Sequence, residues 1–133
     1  MRPTLDPTGS DPDVELVLRA YEAFARGDIE GAVADLHLDA EWTEPDEFPN
    51  GGRRHGPEAV ADYLRASRAS WSEMVSERTA HRRGDKIVII HHVCGRLVDG
   101  TANDVTVADV FTVENGQVVK MTAYADPTEA LAP

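Results

Sequence analysis

The sequence contains a single cysteine, only two lysines and no long apolar run. Cys94 has no partner for an intramolecular disulfide, so the fold cannot rest on cross-links, and a reducing compartment is expected. The longest uninterrupted apolar stretch, Ile87 to Ile90, falls far short of the about 18 residues needed to cross a bilayer. The N-terminus shows no apolar secretory core, so a cytoplasmic protein is expected. Positive charge is also scarce: 13 Lys and Arg stand against 24 Asp and Glu, a formal net charge of −11. Neither nucleic acid nor an anionic membrane is therefore an expected partner, because both require a basic footprint.

What is present is the composition of a folded domain. With 133 residues and 41% hydrophobic content, the chain can bury roughly two thirds of its unfolded surface in one core, and a second domain has no room. No repeat or low-complexity segment interrupts it. The expected division is a flexible leader over 1–12, one domain over 13–127 and a C-terminal tail over 128–133.

Apolar periodicity places the elements. Ser10 or Asp11 can cap a first helix, Pro12 suits its first turn, and Val14, Val17, Leu18, Tyr21, Phe24 and Ala25 recur at helical spacing up to Gly27. Asp28 can cap a second short helix with Ile29, Ala32, Val33 and Leu36 as its buried stripe, which makes an αα-hairpin. Ala40 to Glu44 alternates as a short strand that Pro45 closes, since proline cannot donate to a sheet ladder.

Asp46 to His55 is polar and rich in Gly and Pro, a candidate pocket rim. Gly56 and Pro57 then start a third helix carrying Val60, Tyr63, Leu64 and Trp71 on one face. Beyond it the period becomes two, and Ser72–Arg83, Lys86–Val98, Val105–Glu114 and Gln117–Ala125 read as four strands. Asp99-Gly100 and Asn115-Gly116 are hairpin turn signals between the last three. In the last strand Val119, Met121, Ala123 and Ala125 are expected to face the interior, and Val118, Lys120, Thr122 and Tyr124 to face outward. Three helices followed by a meander is an α+β layout.

The order helix, helix, short strand, helix, four-stranded meander resembles the ketosteroid isomerase and SnoaL-like branch of the nuclear transport factor 2 (NTF2-like) superfamily. The segments "AYEAFARGDIEGAVADLHLDAEWTEP" and "ADVFTVENGQVVKMTAYADP" look like that family's opening hairpin with its first strand and its closing strands. The resemblance covers about Asp13 to Pro127. It implies a cone-shaped α+β fold, three N-terminal helices packed on a curved antiparallel sheet, with function housed in the cone. It also implies a homodimer formed through outward sheet faces, for which Thr122, Tyr124 and Val118 are candidates. Fold alone does not choose among the isomerases, cyclases, dehydratases, epoxide hydrolases and inert binding modules that share it.

Ketosteroid isomerases carry a proton-shuttling carboxylate before a proline at the end of the first strand, and Glu44 before Pro45 is the matching position. A second isomerase carboxyl, kept protonated to hydrogen-bond a developing oxyanion, matches Asp109 in "VADVF". Alternation puts Asp109 on one face with Val105, Val107 and Phe111, where desolvation raises a carboxyl pKa. The alternatives are structural: Asp109 caps an element or pairs with an arginine, and Glu44 is a solvated strand end.

A two-residue turn at Asp99-Gly100 sets Ile90 opposite Asp109 and turns Val88, His92 and Cys94 inward, which makes His92 a third candidate catalytic group. Its alternative is a hydrogen-bonded wall residue. No metal is expected from His81, His91, His92 and Cys94, because adjacent strand residues face opposite sides. No cofactor is expected either. Phe24, Trp42, Tyr63, Trp71 and Met121 are candidate walls for a flat apolar ligand, with core packing as their alternative.

The isomerase tyrosine of the first helix falls at Ala20, with Tyr21 turned about 100° away. Ser-His-Asp chemistry lacks a serine in a nucleophile elbow. The expected function is thus cofactor-independent proton transfer on a small apolar carbonyl compound, by an isomerase or aldol-type cyclase. The competing readings are a non-catalytic binding or dimerisation module and a hydrolase or dehydratase of an epoxide or alcohol.

Overall fold

Asp11 starts the first helix, α1 (Pro12–Ala25), by accepting the amides of Asp13 at 2.9 Å and Val14 at 3.4 Å on one carboxylate oxygen. These are amide donors that a helix N-terminus otherwise leaves unpaired. The computed structural model describes residues 11–48 and 51–131. Ser10, the other candidate cap, and the leader's first ten residues lie outside them. Asp11 also pairs with Arg82 at 3.1 Å, so it ties the helix start to the sheet. Asp11→Ala should lower unfolding free energy by about 1–2 kcal/mol, measurable by urea denaturation.

The helix buries Val14, Leu16, Val17, Tyr21 and Ala23. Gly27, at φ +84°, supplies the left-handed turn that ends it, and Asp28 caps α2 (Ile29–Val33) by accepting the Gly31 amide at 2.9 Å. Leu36, expected on the second helix, instead opens β1 (Leu36–Glu44), which begins four residues earlier than its alternating core indicates. The stretch 46–55, expected as loop throughout, ends in a short edge strand, β2 (Gly52–His55), paired antiparallel with β1. Its sequence, Gly-Arg-Arg-His, carries no apolar alternation to announce it.

Helix α3 (Pro57–Ala69) then crosses to the far edge of the sheet, and Trp71, expected on that helix, starts β3 (Trp71–Arg83). The meander continues through β4 (Lys86–Leu97), β5 (Ala102–Glu114) and β6 (Gln117–Tyr124). β6 returns to lie parallel to β1, giving one six-stranded sheet in the order β2-β1-β6-β5-β4-β3. All other neighbours are antiparallel.

Two details of register correct the sequence reading. Leu97 N donates to Thr101 O at 2.9 Å across a three-residue loop, with Gly100 at φ +91°. Asp109 therefore pairs with Ile89 rather than Ile90, and a slip of one residue reverses every side chain of a strand. Ile87, Ile89, His91 and Val93 face the interior of β4, while Val88, His92 and Cys94 face outward. In β6 a bulge between the Thr112–Lys120 and Val113–Val118 pairs sends Val118 into the core along with Met121 and Ala123. Val118 is thus withdrawn from the outward set.

The core joins Val14 and Val17 of α1, Val60 of α3, and Ile87, Ile89, Phe111 and Met121 of the sheet. A fourth helix, α4 (Pro127–Leu131), occupies much of what was read as a tail and contacts β4, β5 and β6. None of the described helices is long and apolar enough to cross a membrane.

Candidate active site

Helices α1 and α3 and the inner face of the sheet enclose a cavity of about 500 Å³, the size of a site for a small organic molecule. Leu16, Val17, Phe24, Leu64, Val107 and Phe111 contribute apolar wall. Its polar lining includes Tyr21, Glu44, Tyr63, His91 and Asp109.

Glu44 ends β1 as expected, but it is not solvated. It is 8% exposed, and strand alternation puts it on the same inward face as Trp42, whose Nε1–H donates to its carboxylate at 2.8 Å. The Tyr63 hydroxyl of α3 donates to the same carboxylate, and Arg54, stacked 4.2 Å over the Tyr63 ring, adds positive charge nearby. Burial raises the Glu44 pKa, while Trp42, Tyr63 and Arg54 pull it back. Tyr63 is itself raised, by burial and then by the charge of Glu44.

Asp109 has a poorer set of partners. Burial, followed by repulsion from Glu44, lifts its pKa to about 7, against the lowering effect of a hydrogen bond from the Tyr21 hydroxyl. The repulsion between the two carboxyls falls on Asp109, because Glu44 has two donors and a neighbouring cation to hold its charge. Glu44 is thus the first of the pair to ionise as pH rises, and Asp109 keeps its proton longer.

Tyr21 and His91 were not among the expected site residues. The carried-over tyrosine position pointed to Ala20, which lies in the cavity wall but has no polar group. Tyr21 belonged to the apolar stripe of α1, and that stripe was the available signal. Its ring stands edge-on to His91 at 4.9 Å and to Phe111 at 5.9 Å. His91 is 6% exposed, bonded through Nε2 to Ser76 Oγ at 2.7 Å. Its pKa falls to about 4, chiefly through burial and then through Arg78, so it is a neutral imidazole at physiological pH.

His92 does not enter the cavity. It lies on the outer face between Asp104, 2.7 Å from its Nε2, and Glu77, 3.2 Å from its Nδ1, and those carboxylates raise its pKa. Among the expected walls, Phe24, Trp42, Tyr63 and Trp71 line the cavity. Met121, 1% exposed, belongs to the core and not to the wall. Phe48, from the segment read as polar, also lines the cavity.

Comparison with solved structures places this architecture among known relatives. An NTF2-like protein of unknown function from Burkholderia pseudomallei K96243 matches with TM-score 0.77 at 28% identity, over 91% of this chain and 95% of that one. A putative polyketide cyclase from Xanthomonas campestris pv. campestris matches with TM-score 0.73 at 23% identity, over 90% and 94%. A hypothetical protein with a ketosteroid isomerase-like fold from Catenulispora acidiphila DSM 44928, in complex with trimethylamine, matches with TM-score 0.71 at 16% identity, over 83% and 84%. The comparison with curated proteins gives no match. The family model of the SnoaL-like domain matches residues 17–121, which run from α1 through most of β6 and take in every polar group of the cavity, so the chain belongs to the SnoaL-like domain family.

Proposed function

We propose that this chain is a cofactor-independent proton-transfer enzyme, an isomerase or aldol-type cyclase, acting on a small, mostly apolar carbonyl compound. The observation that carries this reading is that two carboxyls share one apolar cavity with unequal partners. Glu44 has Trp42, Tyr63 and Arg54; among the described residues Asp109 has the Tyr21 hydroxyl and the repulsion of Glu44. An acid–base pair requires this separation, since one group must be ionised while the other still holds its proton.

The chemistry follows from those states. The Glu44 carboxylate removes a proton from carbon next to the carbonyl, and the electron pair moves onto the carbonyl oxygen. With the Tyr21 O–H donated to Asp109, the O–H of protonated Asp109 remains as the hydrogen-bond donor for the resulting enolate. For an isomerase, the proton on Glu44 returns to a different carbon; for a cyclase, the enolate carbon attacks a second carbonyl and the new alkoxide takes the proton. His91, neutral at physiological pH, brings no positive charge of its own to the cavity.

Side-chain carboxyl titration by NMR tests the assignment. Asp109 should titrate near 7 and Glu44 below it. If both titrate near 4, the ordinary carboxyl range, the acid and base roles fail and a non-catalytic binding module becomes the better reading.

A further inference from the structure

We infer that the outer face of the sheet carries a zinc-binding site made by His92, Cys94 and Asp104, with Glu77 orienting the histidine. His92 and Cys94 are two residues apart on β4 and so project from the same face. Asp104 is the cross-strand partner of Cys94, and Glu77 is the partner of His92. Three neighbouring strands thus bring an imidazole, a thiol and two carboxylates to one spot. One ligand atom from each of His92, Cys94 and Asp104 lies within 4.8 Å of the other two.

The spacing suits a tetrahedral ion. Bond lengths of about 2.0–2.3 Å put neighbouring ligands of zinc about 3.5 Å apart. His92 Nε2 and Asp104 Oδ1 stand at 2.7 Å, so this contact must open by less than about 1 Å. The Asp104 side chain, 71% exposed, is free to make that adjustment.

Donor chemistry selects the metal. Calcium and magnesium take oxygen ligands, whereas a nitrogen, sulfur and oxygen set suits zinc. A neutral imidazole, a thiolate and a carboxylate carry two negative charges, which match a dication. Glu77 Oε1, 3.2 Å from His92 Nδ1, accepts the other ring N–H, as a carboxylate does behind most metal-bound histidines. With three protein ligands the ion keeps a fourth, open position. An ion pair alone accounts for His92 between its carboxylates but gives no part to Cys94, and this difference is what the experiment reads.

The full chain, stripped with a chelator and kept reduced by a phosphine, is titrated with zinc chloride by calorimetry and with cobalt(II) chloride by absorption. We expect one zinc per chain, and a cobalt complex with thiolate charge-transfer bands. Cys94→Ser should abolish those bands, His92→Gln and Asp104→Asn should remove saturable zinc binding, and Glu77→Gln should weaken it about 10–100-fold. Absence of saturable zinc binding overturns the site. So does binding that survives both Cys94→Ser and His92→Gln, or a cobalt complex without thiolate bands; unchanged affinity in Glu77→Gln overturns the role of Glu77. These positions lie outside the cavity, so the outcome is independent of the proposed catalytic reading.

Discussion

Glu44→Gln should lower turnover by about 10²–10⁴-fold, the usual contribution of a general base, while ligand affinity stays within about threefold of wild type. Glutamine has nearly the shape of glutamate, and its carbonyl can still accept the Trp42 Nε1–H that Glu44 accepts at 2.8 Å. What it cannot do is take a proton. The loss should therefore appear in kcat and in kcat/KM equally, as for a group needed only in the transition state. The measurement is exchange of protons next to the carbonyl into deuterated water, followed by NMR over a panel of flat apolar ketones with wild type and variant in parallel. A variant that exchanges as fast as wild type removes Glu44 from the base role. Ketones that bind the wild type without any exchange favour the binding module.

The sequence made the element types legible wherever one face is buried, since a half-buried strand must alternate and a buried helix must repeat at 3.6 residues. The stripe of α1, the strand closed by Glu44-Pro45 and the inward set Val105, Val107, Asp109 and Phe111 were readable for this reason. Both candidate carboxyls therefore stand in the cavity. Elements that bury little left no periodicity to read: β2, with two arginines in four residues, and the five-residue α4.

Register was the weak link, because it depended on the length of a single turn. Asp99-Gly100 fits a two-residue turn or, as found, the end of a three-residue loop with glycine in the left-handed conformation. The choice exchanged His91 for His92 in the cavity, and with them the two histidines' chemistry. Near Tyr21 the difficulty was different. The 100° offset from Ala20 is an angle at the backbone, and a tyrosine side chain is long enough to span it and reach Asp109. Sequence correspondence at one position carries no information about such reach.

His91 and Asp109 also make a prediction about stability that neither makes alone. At pH 5 the unfolded chain carries a protonated His91 and an ionised Asp109. The folded chain holds a neutral His91, its pKa near 4, and a protonated Asp109, its pKa near 7. One proton is bound by this pair in each state, so between about pH 4 and 6.5 their contributions to the pH slope of stability cancel.

Removing either group exposes the other. In Asp109→Asn the unfolded state binds the extra proton at His91, so stability should rise with pH by up to about 1.4 kcal/mol per pH unit, or about 3 kcal/mol across that window. In His91→Gln the folded state binds the extra proton at Asp109, so stability should fall with pH at a similar rate and level off only above pH 7. The raised pKa of Glu44 adds a smaller fall of the same sign, common to wild type and both variants. Urea denaturation from pH 4 to 8 measures all three slopes. Parallel slopes in wild type and the two variants would mean that neither group is held in the stated form. Opposite slopes would show that the cavity keeps a carboxylic acid protonated beside an uncharged imidazole, the state in which Asp109 can donate to an enolate.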